Sequence, residues 1–263
     1  MTLLYGLEKV ISKPELENLG PELAKALVST SYIAQEIQEF MRLVNGAIVE
    51  HNAKQKVQLM QSSQRGTLLR ALALKADNFL YLWKHLLSKA EFRSEDKSGI
   101  LEELFKKYAN RFLDLTAHPG HGIAEHIRNR MTAHTDLVAT KKSIELFHEE
   151  WSVSILFSPD IGNSFFALGE DIVFGSGLMH QTGLKGTDNE ITFSQEEALQ
   201  RLTAWQDYTI EASQFCLQYH FELIHDIPQK CLGRTGAPWV DLTIPAKRYS
   251  SREDFRLPVY THT

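Results

Sequence analysis

The sequence predicts an all-α protein: a helical bundle of four to five main helices with a small, partly β insert before the last one. Three observations carry this. Apolar residues recur at helical spacing through four long stretches. Short β-like runs are confined to residues 151–193. The 263-residue chain has 43 % apolar and 23 % charged residues, a globular composition able to bury a core without staples.

Residues 13–27 open with turn signals and then turn helical. Over 29–52, Ile33, Ile37, Phe40, Met41, Val44 and Ile48 define one apolar face of a long helix. The stretch QSSQRG (61–66) reads as a break. A broader apolar face follows over 67–90, with Leu68, Leu69, Leu72, Phe79, Leu80, Trp83, Leu86 and Leu87, as expected for a central helix. RSEDKSG (93–99) reads as a polar linker. The next helix, 100–116, carries Leu101, Leu104, Phe105, Tyr108, Phe112 and Leu115, and AHPGHG (117–122) interrupts the pattern with Pro119 and Gly120.

A further helix is predicted from about Ile123 to His134, and a short one from Lys141 to Glu150. The insert 151–193 contains SVSILFS, SFFALG and DIVFGSG, read as one or two short strands with loops. Ser194 with Glu197 three residues on forms a capping box that starts the last helix, predicted over 195–225, before Pro228. Its apolar residues include Leu199, Trp205, Tyr208, Phe215 and Phe221. The tail 233–263 is read as extended, and the whole as a single domain. No internal repeat is found.

Composition excludes several function classes. With 28 basic and 33 acidic side chains, the net charge of -5 argues against a broad basic surface, though not against a local one. Two cysteines, Cys216 and Cys231, form no CxxC, so a reducing, cytoplasmic setting is expected; Cys216 lies among apolar neighbours and reads as core. The N-terminal residues lack the pattern of a signal peptide, and no apolar run approaches the roughly 18 residues of a membrane span. GSG (175–177) lacks the context of a dinucleotide loop and reads as a turn. KRYSSR (247–252) reads as a solvated charged segment.

One stretch concentrates chemistry: IRNRMTAHTD, residues 127–136. An arginine such as Arg128 grips a phosphate with a planar fork of permanently charged donors. A histidine such as His134 moves protons near neutral pH. Together they suit cleavage of an RNA phosphodiester without a metal or other cofactor, with Asn129 orienting either group or the phosphate. Arg130, Lys141 and Lys142 would extend a basic rim. On one straight helix, Arg128 and His134 stand about 120° and about 9 Å apart. Either the helix ends near Ala133, or a second copy of the chain completes the site. The bland reading stays open: His134 falls near the apolar face of Ile123, Ile127 and Met131, as a buried structural histidine would.

The arrangement Arg128, Asn129, Ala133, His134 and Asp136 resembles the signature of the HEPN superfamily, the "higher eukaryotes and prokaryotes nucleotide-binding" domains, and within it the abortive-infection-type branch. The resemblance implies an all-helical bundle over 29–140, closed by 195–225. It further implies a homodimeric, metal-independent endoribonuclease, or a non-catalytic module that binds a nucleotide or a protein partner. Such proteins act in defence or toxin–antitoxin systems, so an antitoxin-like protein is an expected partner.

A metal-binding bundle is the competing expectation. His118, His121, Glu125 and His126 precede the motif, and His121 with Glu125 has the four-residue spacing that sets two ligands on one helix face.

Overall fold

The structure is a computed structural model, and it describes residues 6–7, 11–47, 54–127, 144–145, 155–156, 165–166, 174, 178, 180–182, 190–232 and 239–240. The described residues are overwhelmingly helical, in keeping with the all-α class expected from the sequence. The helices are α1 (Lys13–Asn18), α2 (Pro21–Gly46), α3 (Gln55–Leu82), α4 (Ala90–Ser94), α5 (Ile100–Ala117), α6 (Pro119–Ile127) and α7 (Gln195–Lys230), with a π-helical turn at Trp83–Leu87 directly after α3. β-structure among the described residues is limited to short antiparallel ladders. β1 (Gly6–Leu7) pairs with β6 (Trp239–Val240), β2 (Ile155–Leu156) with β3 (Phe165–Phe166), and β4 (His180–Thr182) with β5 (Glu190–Thr192). No helix among the described residues is long and apolar enough to cross a membrane.

The chain divides into two compact units. One comprises Met1–Gly46, Lys75–Asp114 and Ala212–Leu257; the other comprises Ala47–Leu74, Leu115–Glu211 and Pro258–Thr263.

Local chemistry sets the element boundaries, and several differ from expectation. Ser12 and Glu15 form a reciprocal capping box at the start of α1, with Glu15 accepting from the Ser12 N–H at 2.8 Å. Gly20, at φ +84°, turns the chain into α2, eight residues before the predicted start at 29. The expected break at 61–66 is absent: α3 runs through it, because Gly66 alone costs only about 1 kcal/mol in a helix and Gln61, Gln64 and Arg65 favour one. Residues 93 and 94 of the expected linker are helical as well, as the end of α4. Asp96 caps α5, accepting from the Ser98 N–H at 3.0 Å and the Leu101 N–H at 2.9 Å. At α7, Ser194 and Glu197 form the expected box, with Glu197 accepting from the Ser194 N–H at 2.7 Å. That helix continues through Pro228 to Lys230. A proline so near the end removes one donor, while Lys230 in the last turn binds Asp226 at 3.1 Å and favours the helix C-terminus.

In the first unit, the core centres on Trp83, which is 1 % exposed. Its indole lies 5.7 Å from Phe112 and 6.0 Å from Phe105, both stacked. Phe215 and Tyr219 meet it edge-on at 5.1 and 5.3 Å. Mixed stacked and edge contacts suit the ring quadrupoles. Arg93 is buried beside this cluster: its guanidinium sits 3.6 Å over the Phe105 ring, its Nε donates to Glu102 at 2.7 Å, and its Nη1 donates to the carbonyls of Leu87 and Ser88. The Arg93 hydrogen bond holds the Glu102 carboxyl below its ordinary range.

The α2 core face agrees with the expected one at Ile37 and Val44 and departs from it elsewhere. Leu23, Ala26, Leu27, Thr30, Ala34, Ile37 and Val44 are buried, whereas Ile33, Phe40 and Met41 remain partly exposed. Small residues, which carry little weight in an apolar count, fill part of the buried stripe. Leu199 and Phe221 of α7, expected in the core, are exposed.

Thr30 donates its hydroxyl to the Ala26 carbonyl at 2.8 Å, and its oxygen then accepts the Nδ1 proton of His220 at 3.0 Å. That leaves Nε2 to accept from the Ser31 hydroxyl at 3.3 Å. Burial pushes the His220 pKa down to about 4. An unfolded histidine titrates near 6.5, so the unfolded state binds the extra proton between those values and stability falls as pH drops through that window. Urea unfolding of wild type against His220→Gln between pH 7.5 and pH 4.5 should show the wild type losing about 1–3 kcal/mol more than the variant. Equal losses would remove His220 from this role.

Candidate functional site

The residues that carry the sequence-predicted site, Arg128, Asn129, Arg130, His134, Lys141 and Lys142, lie outside the described residues. The helix that leads to them is described, and its anchoring is well defined.

The expected interruption at 117–122 shrinks to one residue. α5 ends at Ala117 and α6 begins at Pro119, four residues before the predicted start. Proline is preorganised for the first helical position, where its missing N–H costs nothing. His118 takes the capping place. Its Nδ1 accepts the Gly120 N–H at 3.0 Å, the bond a serine or aspartate side chain makes at other helix starts.

Gly120 is a contact point between backbones. A Cβ placed there would sit 2.2 Å from the Ala204 carbonyl oxygen and 2.5 Å from Tyr208 Cβ, so α6 and α7 approach as closely as glycine alone permits. Tyr208, 3 % exposed, fills the adjoining space. The His118 and His121 rings lie 5.7 and 5.5 Å from its ring, and His121 Nδ1 is hydrogen-bonded to its hydroxyl at 2.8 Å.

Two histidines of the metal expectation, His118 and His121, are thus used in capping and packing. Glu125 is exposed, and the His126 side chain lies outside the described residues. Among the described residues, no three His, Cys, Asp or Glu side chains gather to hold a metal ion.

An open groove of about 570 Å³ in the first unit is lined by Ser31, Gln35, Gln38, Gln218, His220 and Phe221, among others. Both ring nitrogens of its histidine are occupied by hydroxyls, so it offers polar contacts without a free base. Sequence reading missed His220 because its partners, Thr30 and Ser31, are distant in the chain.

No family model, curated protein or solved structure matches the chain.

The two glycines of α6 give opposed expectations. Gly120→Ala must separate α6 from α7 and should cost at least about 2 kcal/mol in chemical denaturation. Gly122, whose Cβ would meet open space, should gain about 0.5–1 kcal/mol as alanine. Equal effects of the two substitutions would refute the close approach.

Proposed function

We propose that the chain is a metal-independent endoribonuclease of HEPN type, acting as a homodimer in the cytoplasm within a defence or toxin–antitoxin system. The observation that carries the reading is the run Arg128-Asn129 followed by Ala133-His134, entered directly from the end of α6. The all-helical architecture is compatible with it, and the anchoring of α6 on α7 gives that run a rigid lead-in.

In the proposed reaction, His134 accepts the proton of a ribose 2′-hydroxyl as its oxygen attacks the adjacent phosphorus. The P–O5′ bond breaks, the leaving oxygen takes up a proton, and the products are a 2′,3′-cyclic phosphate and a 5′-hydroxyl end. Arg128 stabilises the charge that builds on the phosphorane oxygens, and Asn129 orients the phosphate. Arg130, Lys141 and Lys142 hold flanking phosphates. The angular offset of Arg128 from His134 is the reason for invoking a second copy. An antitoxin-like protein would restrain the activity.

RNA cleavage by the purified chain should persist in a chelator. His134→Ala should lower it by about 10²-fold or more while thermal unfolding stays put. A His134→Ala variant as fast as wild type would refute the catalytic assignment. RNA or nucleotide bound but never cut would reduce the reading to a non-catalytic module. Mixing His134→Ala with Arg128→Ala chains should recover part of the activity if each site draws on both copies.

A further inference from the structure

Arg201 and Trp205 stand one turn apart on α7, in the second compact unit. Trp205 is fully buried, and its indole Nε1–H has no acceptor. The Nη2 of Arg201 is also buried without an acceptor. The remaining contacts of the two side chains are those of a fixed framework. Arg201 donates from Nε to the Leu178 carbonyl at 2.8 Å, and its guanidinium lies 4.0 Å from the Phe193 ring. Trp205 meets the Phe174 ring edge-on at 5.3 Å. Phe174 carries a second cation, Arg70, 4.9 Å over its ring.

No carboxylate among the described residues balances this charge at Arg201. Burial is what holds its pKa below the ordinary guanidinium value. A buried donor without an acceptor costs about 1–3 kcal/mol, and more when charged. Two such donors on one helix face, one of them a guanidinium, call for an acceptor that is anionic and has several oxygens. A phosphate offers oxygens to both donors, and Phe174 and Phe193 offer aromatic surface to an organic group attached to it.

We propose that Arg201 and Trp205, flanked by Arg70, Phe174 and Phe193, form a binding site for a phosphate ester. The site is independent of the ribonuclease reading, because it uses none of the residues of the IRNRMTAHTD run.

Calorimetric titration of the full chain with inorganic phosphate and with adenosine monophosphate, at constant ionic strength, tests this. One saturable site per chain is expected. Tighter binding of the monophosphate assigns an ester whose organic part lies on the aromatic rings; equal binding assigns free phosphate as the natural source of the same chemistry. Arg201→Gln should weaken binding by about tenfold or more. Trp205→Phe keeps an aromatic ring and removes only the donor, so a weakening of about threefold or more is expected even if the Arg201 variant does not fold. Arg201→Met should melt at a higher temperature than wild type in phosphate-free buffer, and added phosphate should no longer raise its melting point. Absence of binding at about 10 mM of either probe, or binding untouched by Trp205→Phe, would overturn the site. Phosphate binding retained in His134→Ala separates this site from the proposed nuclease centre.

Discussion

The first compact unit depends on the burial of one indole. Trp83 sits where α3 gives way to a π-helical turn, and α5 and α7 meet it with aromatic side chains. A π turn inserts a residue into the helical repeat, so the side chains beyond it are set on a different angle from those before it. That change directs the next segment toward α4. Arg93 then becomes the complement of the cluster: its planar cation lies against Phe105, and the carbonyls of Leu87 and Ser88 that end the turn take its protons. The guanidinium therefore supplies donors to a helix end that would otherwise carry orphan carbonyls. Its ion pair with Glu102 ties that end to the first turn of α5.

The second unit uses the opposite device, the absence of a side chain. Gly120 allows backbone contact with Ala204, and the surrounding volume is taken up by Tyr208 and two imidazoles. Close approach shortens every contact along the pair, and dispersion falls steeply with distance, so a single methyl group at this point has consequences well beyond its volume. His118 serves both ends of this arrangement: it caps α6 with Nδ1 and presents its ring to Tyr208. A histidine that looks like a metal ligand by spacing is here a cap with an aromatic face.

The sequence made the helices legible wherever large apolar residues mark the buried stripe, as in α5, whose bounds agree with the expectation to within one residue. It was less informative where small residues do the packing. Ala26, Thr30 and Ala34 share the buried face of α2 with Leu23, Leu27, Ile37 and Val44, and a pattern weighted by size shifts that face toward Ile33 and Phe40. Punctuation residues misled in both directions. Gly66 and Pro228 lie within helices, because the neighbouring turns offset the loss of one good residue. Pro119 and Gly120, read as a stop, are instead a start, since proline at the first helical position and a glycine against another backbone both favour a helix there. The metal expectation rested on the clustering of His118, His121, Glu125 and His126 and on the spacing of His121 from Glu125. Spacing fixes which residues share a helix face, but the tertiary partner, Tyr208, decides what the face does. Arg201 gave no local signal at all: what singles it out is a missing partner, which only a folded chain can reveal.

The treatment of buried polar groups separates the two ends of α7. Among the described residues of its C-terminal half and the elements around it, each buried polar side chain has an answer: Thr30 and His220 satisfy one another, and Asp96 and Arg93 answer the ends of helices. A fold that resolves its internal polar atoms with this consistency has little reason to leave two donors unanswered one turn apart. Removing a counter-charge from a buried arginine is destabilising, whereas an apolar residue of similar size in its place often is not. A guanidinium at position 201, beside an indole N–H and near two aromatic rings, is the arrangement that the proposed phosphate site answers with an acceptor from outside the chain.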